Sequence, residues 1–375
     1  MDLGFSEEQE IVRQTAKRFL AKECPSSLVR ELLESETGHS PELWKKFAEL
    51  GWLGMVFPEE YGGVGSSLLD LAVLAEEFGR ALVPSTFYST VIGALSILNG
   101  GTETQKEHFL PLVSEGKALI SLALTEPSGS YDPDFITTKA QRQGDNWVID
   151  GTKLFVPDAQ SADYLVVVAR TDDGPAREGL SAFIVPTTIP GLSIDPLVTF
   201  AGDRQAEVVL NEVLVEADSV MGEPDTVWPV VEKTLQQQTA LQLADNVGVG
   251  QHVMDTTVEY VKIRLQFDRP IGSFQAVWHH CANMATDVDG ARYLAYDAIW
   301  RLSQGSPATK ELSMAKSWGT EAVKRTTIIA HQLHGGIGYV TEYDLHMYSA
   351  RAKAVEQVLG TPAEHLEIVA QQMGL

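Results

Sequence analysis

Cysteine is scarce in this chain of 375 residues, which contains only Cys24 and Cys281. Two cysteines make neither a disulfide framework nor a cysteine-based zinc site, which favours a reducing, intracellular compartment. Long apolar runs are also missing, since none approaches the about 18 residues that a membrane-spanning helix needs. The first residues, MDLGFSEEQE, are acidic and unlike a signal or transit peptide. We therefore expect a cytoplasmic protein without a membrane span.

Basic residues are few relative to acidic ones. The chain has 28 Lys and Arg against 51 Asp and Glu, a formal net charge of -23. Such a charge argues against unassisted binding to nucleic acid or to an anionic membrane. It does not exclude an anionic cofactor, because a few arginines and helix N-termini can converge locally. With 44% hydrophobic and 21% charged residues the chain should fold, and its length suits about two or three domains.

Several well-known chemical motifs are absent. The sequence has no G-x-S-x-G elbow, no Walker A run, no G-x-G-x-x-G between strand and helix, and no H-E-x-x-H. His279, His280 and Cys281 are adjacent, but neighbours on a helix point about 100° apart. No carboxylate stands at a matching spacing. We therefore predict no metal site.

The hydrophobic pattern divides the chain into three segments. Residues 1–116 have amphipathic helical periods, and Ser6 with Gln9 forms a capping-box pattern before the first of them. Residues 117–222 contain about six or seven short β-rich runs between Gly, Asp and Pro turns. Residues 223–375 contain long helical periods with short links. We predict an α+β multidomain fold, with an N-terminal α-helical domain, a middle antiparallel β-barrel and a C-terminal four-helix bundle.

Three stretches of sequence stand out within this frame. They are LTEPSGSYD, RLQFDRPIGSFQ and HQLHGGIGY. Together with PEEYGG and GDRQAEVVLNEVLV, they resemble the acyl-CoA dehydrogenase family of flavoproteins along essentially the whole chain. The family pattern R-x-Q-F-G-x-P-I-x-x-F-Q is matched from Arg264 to Gln275, except that Asp268 stands in place of glycine.

The resemblance implies an FAD cofactor between the β-domain and the C-terminal bundle, with its pyrophosphate and adenine reaching a neighbouring subunit. An arginine and amide side chains suit an anionic pyrophosphate and a hydrogen-bonding adenosine. Glycines let the backbone approach the cofactor closely. Carried over by motif, the residues for this adenosine-diphosphate end are Arg264, Gln266, Phe267, Gln275, Gln332, Gly335 and Gly336.

At the flavin ring the resemblance is less complete. Thr125 matches the residue that faces the ring, and Thr361 belongs to the turn that reaches toward the cofactor. Phe155 replaces the family's tryptophan and can still pack on the ring. Pro157 replaces a threonine and has neither a hydroxyl nor an N–H to donate. Tyr131 stands at a serine position, where its bulk is expected to narrow the thioester channel.

The catalytic base is the clearest departure from the family. Family chemistry removes the proton alpha to a thioester with a desolvated carboxylate. In most members this is the glutamate of Y-E-G-T, and alignment on the Gly-Thr pair puts Leu359 there. Some relatives use a glutamate on the first long C-terminal helix, where Gln238 stands. Asp245 and Glu356 are candidate substitutes. The alternative interpretations are that Asp245 orders a neighbouring group and that Glu356 is a solvated helix residue.

Three functional hypotheses follow from this pattern. The first is an FAD-dependent acyl-CoA dehydrogenase with Asp245 as its base. The second, which we favour, is a base-lacking subunit of a heterotetrameric bacterial dehydrogenase that completes the FAD site of a base-bearing partner subunit. The third is a base-independent, flavin-dependent elimination on an acyl-CoA. The resemblance also implies an acyl-CoA thioester as substrate, electron transfer flavoprotein as electron acceptor, and a dimer or tetramer.

Overall fold

The computed structural model describes the following residues: 4–83, 86–172, 174–175 and 177–375. The first three residues of the acidic N-terminal stretch lie outside them, as do a few positions of the predicted N-terminal and middle domains. The chain forms two compact units. The first unit comprises 1–29, 67–83 and 239–375, and the second comprises 30–66 and 84–238. The three-segment division stays a prediction beside these units.

The helices begin where the sequence supplies caps. Ser6, Ser67, Thr102 and Thr361 each accept a backbone N–H at a helix start and complete a capping box. The predicted capping box of Ser6 and Gln9 is therefore confirmed. In chain order the helices are α1 (Glu7–Glu23), α2 (Ser26–Glu34), α3 (Pro41–Glu49), α4 (Leu68–Ala81), α5 (Thr86–Gly100), α6 (Glu103–Ser114), α7 (Trp228–Ile263), α8 (Gln275–Ser303), α9 (Thr309–Met314), α10 (Thr320–His334), α11 (Leu345–Gln357) and α12 (Pro362–Gln372).

The first unit packs α4 closely against the part of α7 that begins at residue 239. A Cβ on Gly79 would lie 1.9 Å from the carbonyl oxygen of Asp245, and one on Gly248 would lie 1.8 Å from that of Glu76. Only glycine permits this approach, because real Cβ atoms do not come so near to other atoms. The contact fixes the turn of α7 that carries Asp245.

The second unit contains a sheet of seven strands among the described residues. Its order is β1-β4-β2-β3-β7-β6, with β5 paired to β4. Its core is an apolar cluster that includes Trp147 packed edge-on against Phe183. The strands are β1 (Ile120–Ala123), β2 (Lys139–Gln143), β3 (Asn146–Pro157), β4 (Tyr164–Arg170), β5 (Leu180–Pro186), β6 (Leu192–Leu197) and β7 (Gln205–Val215).

The sheet is mixed, which corrects the prediction of a strictly antiparallel barrel. Strand β4 runs parallel to β1 and to β2, whereas the other pairs are antiparallel. Strand β1 is buried throughout and enters the sheet directly after the helices, so no hairpin fixes its direction. Hydrophobic alternation identifies strands but not the direction in which they pair, which explains the error. The order of helices, then strands, then helices is confirmed.

Candidate active site

The stretch 264–275, predicted to serve the adenosine end of FAD, forms a small hairpin in the first unit. Strands β8 (Leu265–Gln266) and β9 (Arg269–Pro270) are joined by two residues. Both central residues have positive φ, +54° for Phe267 and +60° for Asp268, as a type I′ turn requires. Phe267 stands at the tip with 85% of the residue exposed, and its ring packs edge-on against Phe274 at a centroid distance of 5.9 Å.

Hydrogen-bond donors are available on both sides of this hairpin. Arg264 is exposed, and its guanidinium has no hydrogen-bond or ion-pair partner among the described residues. Gln275 is exposed as well, and it opens α8, whose N-terminus has no side-chain cap. The Gln266 amide instead donates to the Leu265 carbonyl at 2.8 Å. A guanidinium and the free N–H groups of a helix start can bind an anion or a hydrogen-bonding ring.

The predicted backbone contact at Gly335 and Gly336 lies at the end of α10. Gly335 has φ +61°, so it ends the helix in a conformation that favours glycine. A Cβ on either glycine would meet nothing within 4 Å in this chain. Gln332, one turn earlier, is exposed. The backbone conformation therefore accounts for Gly335, whereas neither packing nor a positive φ accounts for Gly336, where a close external group would.

The predicted flavin-ring residues lie on β3 and just after β1, in the second unit. A bulge between Lys153 and Val156 gives Phe155 φ +58° and leaves it 46% exposed. Leu154 donates its N–H to the Thr125 carbonyl at 2.8 Å, which places Thr125 beside the bulge. The Thr125 hydroxyl has no partner among the described residues. The sequence therefore brings two of its predicted ring residues together.

Pro157 ends the same strand. Its carbonyl accepts the Ser121 hydroxyl at 2.6 Å, and its ring nitrogen carries no hydrogen. Tyr131 is half-buried in the loop before the short helix Pro133–Phe135. Neither residue offers the small donor group that the family pattern has at its position.

A buried ion pair next to this bulge was not predicted from the sequence. Lys153 donates to Glu126 at 2.7 Å and both side chains are almost fully buried. Burial by itself would raise the pKa of Glu126, but the Lys153 ammonium and the Thr137 and Thr138 donors bring it down to about 2. The signal available in the sequence was a single lysine within an apolar strand.

None of the four candidate base positions presents a free carboxylate. Leu359 is 9% exposed, and Gln238 is a half-buried amide. Asp245 is 1% exposed and accepts two hydrogen bonds from the Arg351 guanidinium, at 3.1 Å and 2.9 Å. The Glu356 carboxylate binds two lysines at 3.1 Å and 2.9 Å. Although burial raises its pKa, those lysines, Lys324 and Lys353, lower it below the usual value.

The described part of the chain offers neither a cluster of metal ligands nor a membrane-spanning helix. No three histidine, cysteine, aspartate or glutamate side chains come together there in a way that could hold a metal ion. No helix there combines the length and the apolarity that a membrane crossing requires.

Comparison with known proteins assigns the family. The N-terminal, middle and C-terminal domain models of acyl-CoA dehydrogenases match residues 6–117, 121–213 and 228–374. The chain therefore belongs to the acyl-CoA dehydrogenase family, as its motifs predicted. The predicted enzyme class, an FAD-dependent oxidoreductase, agrees with this membership.

Individual relatives match along most of their length. The probable acyl-CoA dehydrogenase YngJ of Bacillus subtilis is 35% identical over 383 residues, covering 100% of both chains. CarC, a subunit of the caffeyl-CoA reductase-Etf complex of Acetobacterium woodii, is 32% identical and covers 90% of this chain and 91% of CarC. The butyryl-CoA dehydrogenase of Megasphaera elsdenii has a similar structure, with a TM-score of 0.93, 28% identity and complete coverage of both chains.

Proposed function

We propose that this chain is the base-lacking subunit of a heteromeric acyl-CoA dehydrogenase and completes the FAD site of a base-bearing partner subunit. One observation carries the proposal. The position expected to hold the glutamate base holds the buried side chain of Leu359. A leucine cannot abstract a proton at any pH, so the proton alpha to the thioester has to be removed elsewhere in the complex.

The hairpin and the end of α10 fit the adenosine-diphosphate part of FAD. Arg264 and the uncapped start of α8 offer unengaged donors to a pyrophosphate, and the two open glycines allow a close approach. FAD, when bound, would accept the hydride that leaves the acyl chain. The residues that would hold its adenosine end are Arg264, Gln266, Phe267, Gln275, Gln332, Gly335 and Gly336.

The flavin-ring side of this chain fits less well. The free Thr125 hydroxyl and the exposed Phe155 ring would face the flavin, and the resemblance implies a cofactor role for Thr361 as well. However, Thr361 is already engaged in the capping box of α12, and Pro157 has no N–H or hydroxyl to offer. The chain thus keeps the residues expected to serve a neighbour and lacks several of those expected to serve its own site.

Asp245 is the remaining candidate for a base of this chain's own. To act as a base, its carboxylate would have to give up two charge-assisted hydrogen bonds from Arg351, or share them with the substrate proton. A carboxylate held in this way is better suited to ordering α11, which carries Arg351. We infer that Asp245 positions this helix and does not touch the substrate.

The remaining partners follow from the family. An acyl-CoA thioester is the substrate that agrees with membership. Electron transfer flavoprotein is the proposed electron acceptor, supported by the Etf-linked name of the CarC relative. We also propose a cytoplasmic location and a dimer or tetramer as the assembled form.

The decisive experiment compares the chain alone with the chain co-expressed with the product of a neighbouring acyl-CoA dehydrogenase gene. Bound flavin and its anaerobic bleaching by acyl-CoA are measured in both samples. The proposal expects full flavin loading and bleaching only in the co-expressed complex. Full loading and bleaching of the lone chain would overturn it.

A bleaching lone chain would then be examined for its base. Asp245→Asn should abolish bleaching if Asp245 abstracts the proton. Asp255→Asn is the matched control. Asp255 lies on α7, as Asp245 does, and it also pairs with an arginine, Arg80, at 2.6 Å. Retained bleaching in Asp245→Asn would remove Asp245 as the base, because flavin reduction by an acyl-CoA still requires that some other group take the alpha proton.

A further inference from the structure

The turn that holds Leu359 is unusual for its backbone. Helix α11 ends at Gln357, α12 begins at Pro362, and Leu359 between them has φ +61°. A left-handed conformation costs a residue with a Cβ about 1–2 kcal/mol, and leucine has no side-chain hydrogen bond to offset it. Other contacts must therefore hold Leu359 in this conformation.

One support comes from α12. His365 is buried, and its Nε2 lies 2.9 Å from the Leu359 carbonyl oxygen, while its Nδ1 lies 3.1 Å from the Ser313 hydroxyl. Gly360 has φ +98°, and a Cβ there would lie 3.1 Å from His365 Nε2. The imidazole therefore bridges α9 and the turn, and glycine leaves room for it.

A second support comes from the residues after α9. The segment Ala315–Gly319 is a π-helical turn, a feature that is often found at functional sites. Within it Lys316 is completely buried, and its ammonium donates to the Val355 carbonyl near the end of α11. Thr320 anchors the Lys316 carbonyl with a 2.6 Å hydrogen bond.

These two supports start from one short stretch of chain. Ser313 and Lys316 are three residues apart, and they reach the turn on both sides. Lys316 holds the helix before it, and Ser313 holds Leu359 itself through His365. The Thr361 and Glu364 capping box then fixes the residue that follows. The backbone of Leu359 is thus held independently of its own side chain.

We propose that Ser313, Lys316 and His365 act together as positioning residues that fix the direction of the side chain at position 359. We call these three residues the turn clamp. The inference rests on the proposed function, in which position 359 is a base position that has lost its carboxylate. It adds that the turn clamp still fixes the direction of the side chain at position 359, so that Leu359→Glu alone supplies a correctly placed carboxylate.

The clamp itself is tested in the otherwise unchanged chain by amide hydrogen exchange. The reporter is the Thr361 N–H, which donates to Glu364 at 2.6 Å. Lys316→Met, Ser313→Ala and His365→Leu should each speed its exchange by about fivefold or more. His365→Gln, which keeps a donor, should restore the slow exchange. Lys353→Met is the matched control, because Lys353 lies on α11 and binds Glu356 outside the clamp.

The placement of a carboxylate at position 359 is tested with Leu359→Glu, in the assembled complex whose partner base has been replaced by glutamine. The readout is the exchange of the alpha hydrogen of a saturated acyl-CoA in deuterated water, followed by mass spectrometry. The introduced carboxylate takes that proton and returns a deuteron, so no oxidant is consumed. The single variant should gain exchange, and adding Lys316→Met should reduce the rate about a hundredfold, the usual effect of misplacing a reacting group by 1 Å.

The half-saturating thioester concentration should stay the same when Lys316→Met is added, because the clamp aims the base and does not bind substrate. Unchanged Thr361 exchange in all three clamp variants would overturn the proposal, as would no alpha exchange in Leu359→Glu. Neither result would bear on the base-lacking role, which fails only if the lone unchanged chain bleaches. The two hypotheses are therefore separable.

Discussion

The hairpin tip and the end of α11, both in the first unit, each hold an apolar residue in a left-handed conformation, but they differ in burial and in contacts. At the hairpin tip Phe267 is almost fully exposed, and its neighbour Asp268 is equally strained. At the end of α11 Leu359 is nearly buried, and its carbonyl is held by His365. The same backbone conformation thus occurs once at an exposed hairpin tip, where the Phe267 ring packs edge-on against Phe274, and once in a buried turn held by His365.

The difference teaches what each turn is for. Strain persists in a structure only where the surroundings impose it, and such sites cluster at ligand and active sites. At Leu359 the surroundings belong to the chain, which suits a position that must aim a side chain. At Phe267 the two-residue hairpin turn imposes the conformation and leaves the residue 85% exposed, which suits the cofactor contact proposed for it.

The largest effect is expected for α11, the helix before Leu359, where Arg351 binds Asp245. Arg351→Met leaves the Asp245 carboxylate buried without its guanidinium and should lower the free energy of unfolding by about 3–5 kcal/mol. Arg325→Met is the control, since Arg325 makes a similar two-bond pair with Asp287 but is more exposed. It should lose less than about 1 kcal/mol. Equal losses in urea unfolding would contradict the structural role given to Asp245.

The pH dependence of stability tests the burial of Lys316, which supports the turn at Leu359. Burial lowers the pKa of Lys316 from 10.5 to about 7. Between these pH values the unfolded chain binds more protons than the folded one, so Lys316 makes stability rise with pH by up to about 1.4 kcal/mol per unit. Lys316→Met should lack this rise. Urea unfolding of both proteins at several pH values from 7 upward measures it, and parallel curves would contradict the burial of a titrating lysine.

A third prediction addresses the hairpin tip. Phe267→Ala should leave the stability of the lone chain unchanged but should weaken flavin retention by the assembled complex about tenfold or more, as expected for an interface anchor. Phe200→Ala is a close control, because Phe200 is 82% exposed but lies in the second unit. Flavin per complex after gel filtration is the measurement. Equal retention in both variants would leave Phe267 without a role in the cofactor site.

The smallest effect concerns the strain itself. Asp268→Gly should raise the free energy of unfolding by up to about 1 kcal/mol, because glycine adopts positive φ freely. The exposed Asp289, inside α8, offers the opposite context. Asp289→Gly should lose up to about 1 kcal/mol, since glycine weakens a helix. Chemical denaturation of both variants gives the signs, and a loss in each would show that Asp268 stabilises the tip in its present conformation.

Much of the fold could be predicted from local patterns. The long period of α7 and the capping box of Ser6 were read directly, because caps and apolar spacing act within a few residues. Strand β2 gives no local signal, since its sequence KAQRQ is polar and mostly exposed. The parallel pairing of β4 was missed because pairing direction depends on strands far apart in the chain.

The site divides in the same way. Motif spacing predicted Arg264, Gln275 and the glycine pair as cofactor residues, and all four are exposed. It gave no indication of the residues that support the site, namely Arg351, Lys316 and His365. Each of them acts on a partner that is distant in sequence or through a backbone carbonyl, so no local spacing records the contact.

By itself the sequence determined the family and the absence of a glutamate at position 359, since both are matters of residue identity. Only the tertiary structure decided that Asp245 is bound to Arg351 and that Leu359 is held by its neighbours. The physical reason is that folding decides which groups lie beside a buried charge or a strained turn, and these groups are distant from it in the sequence.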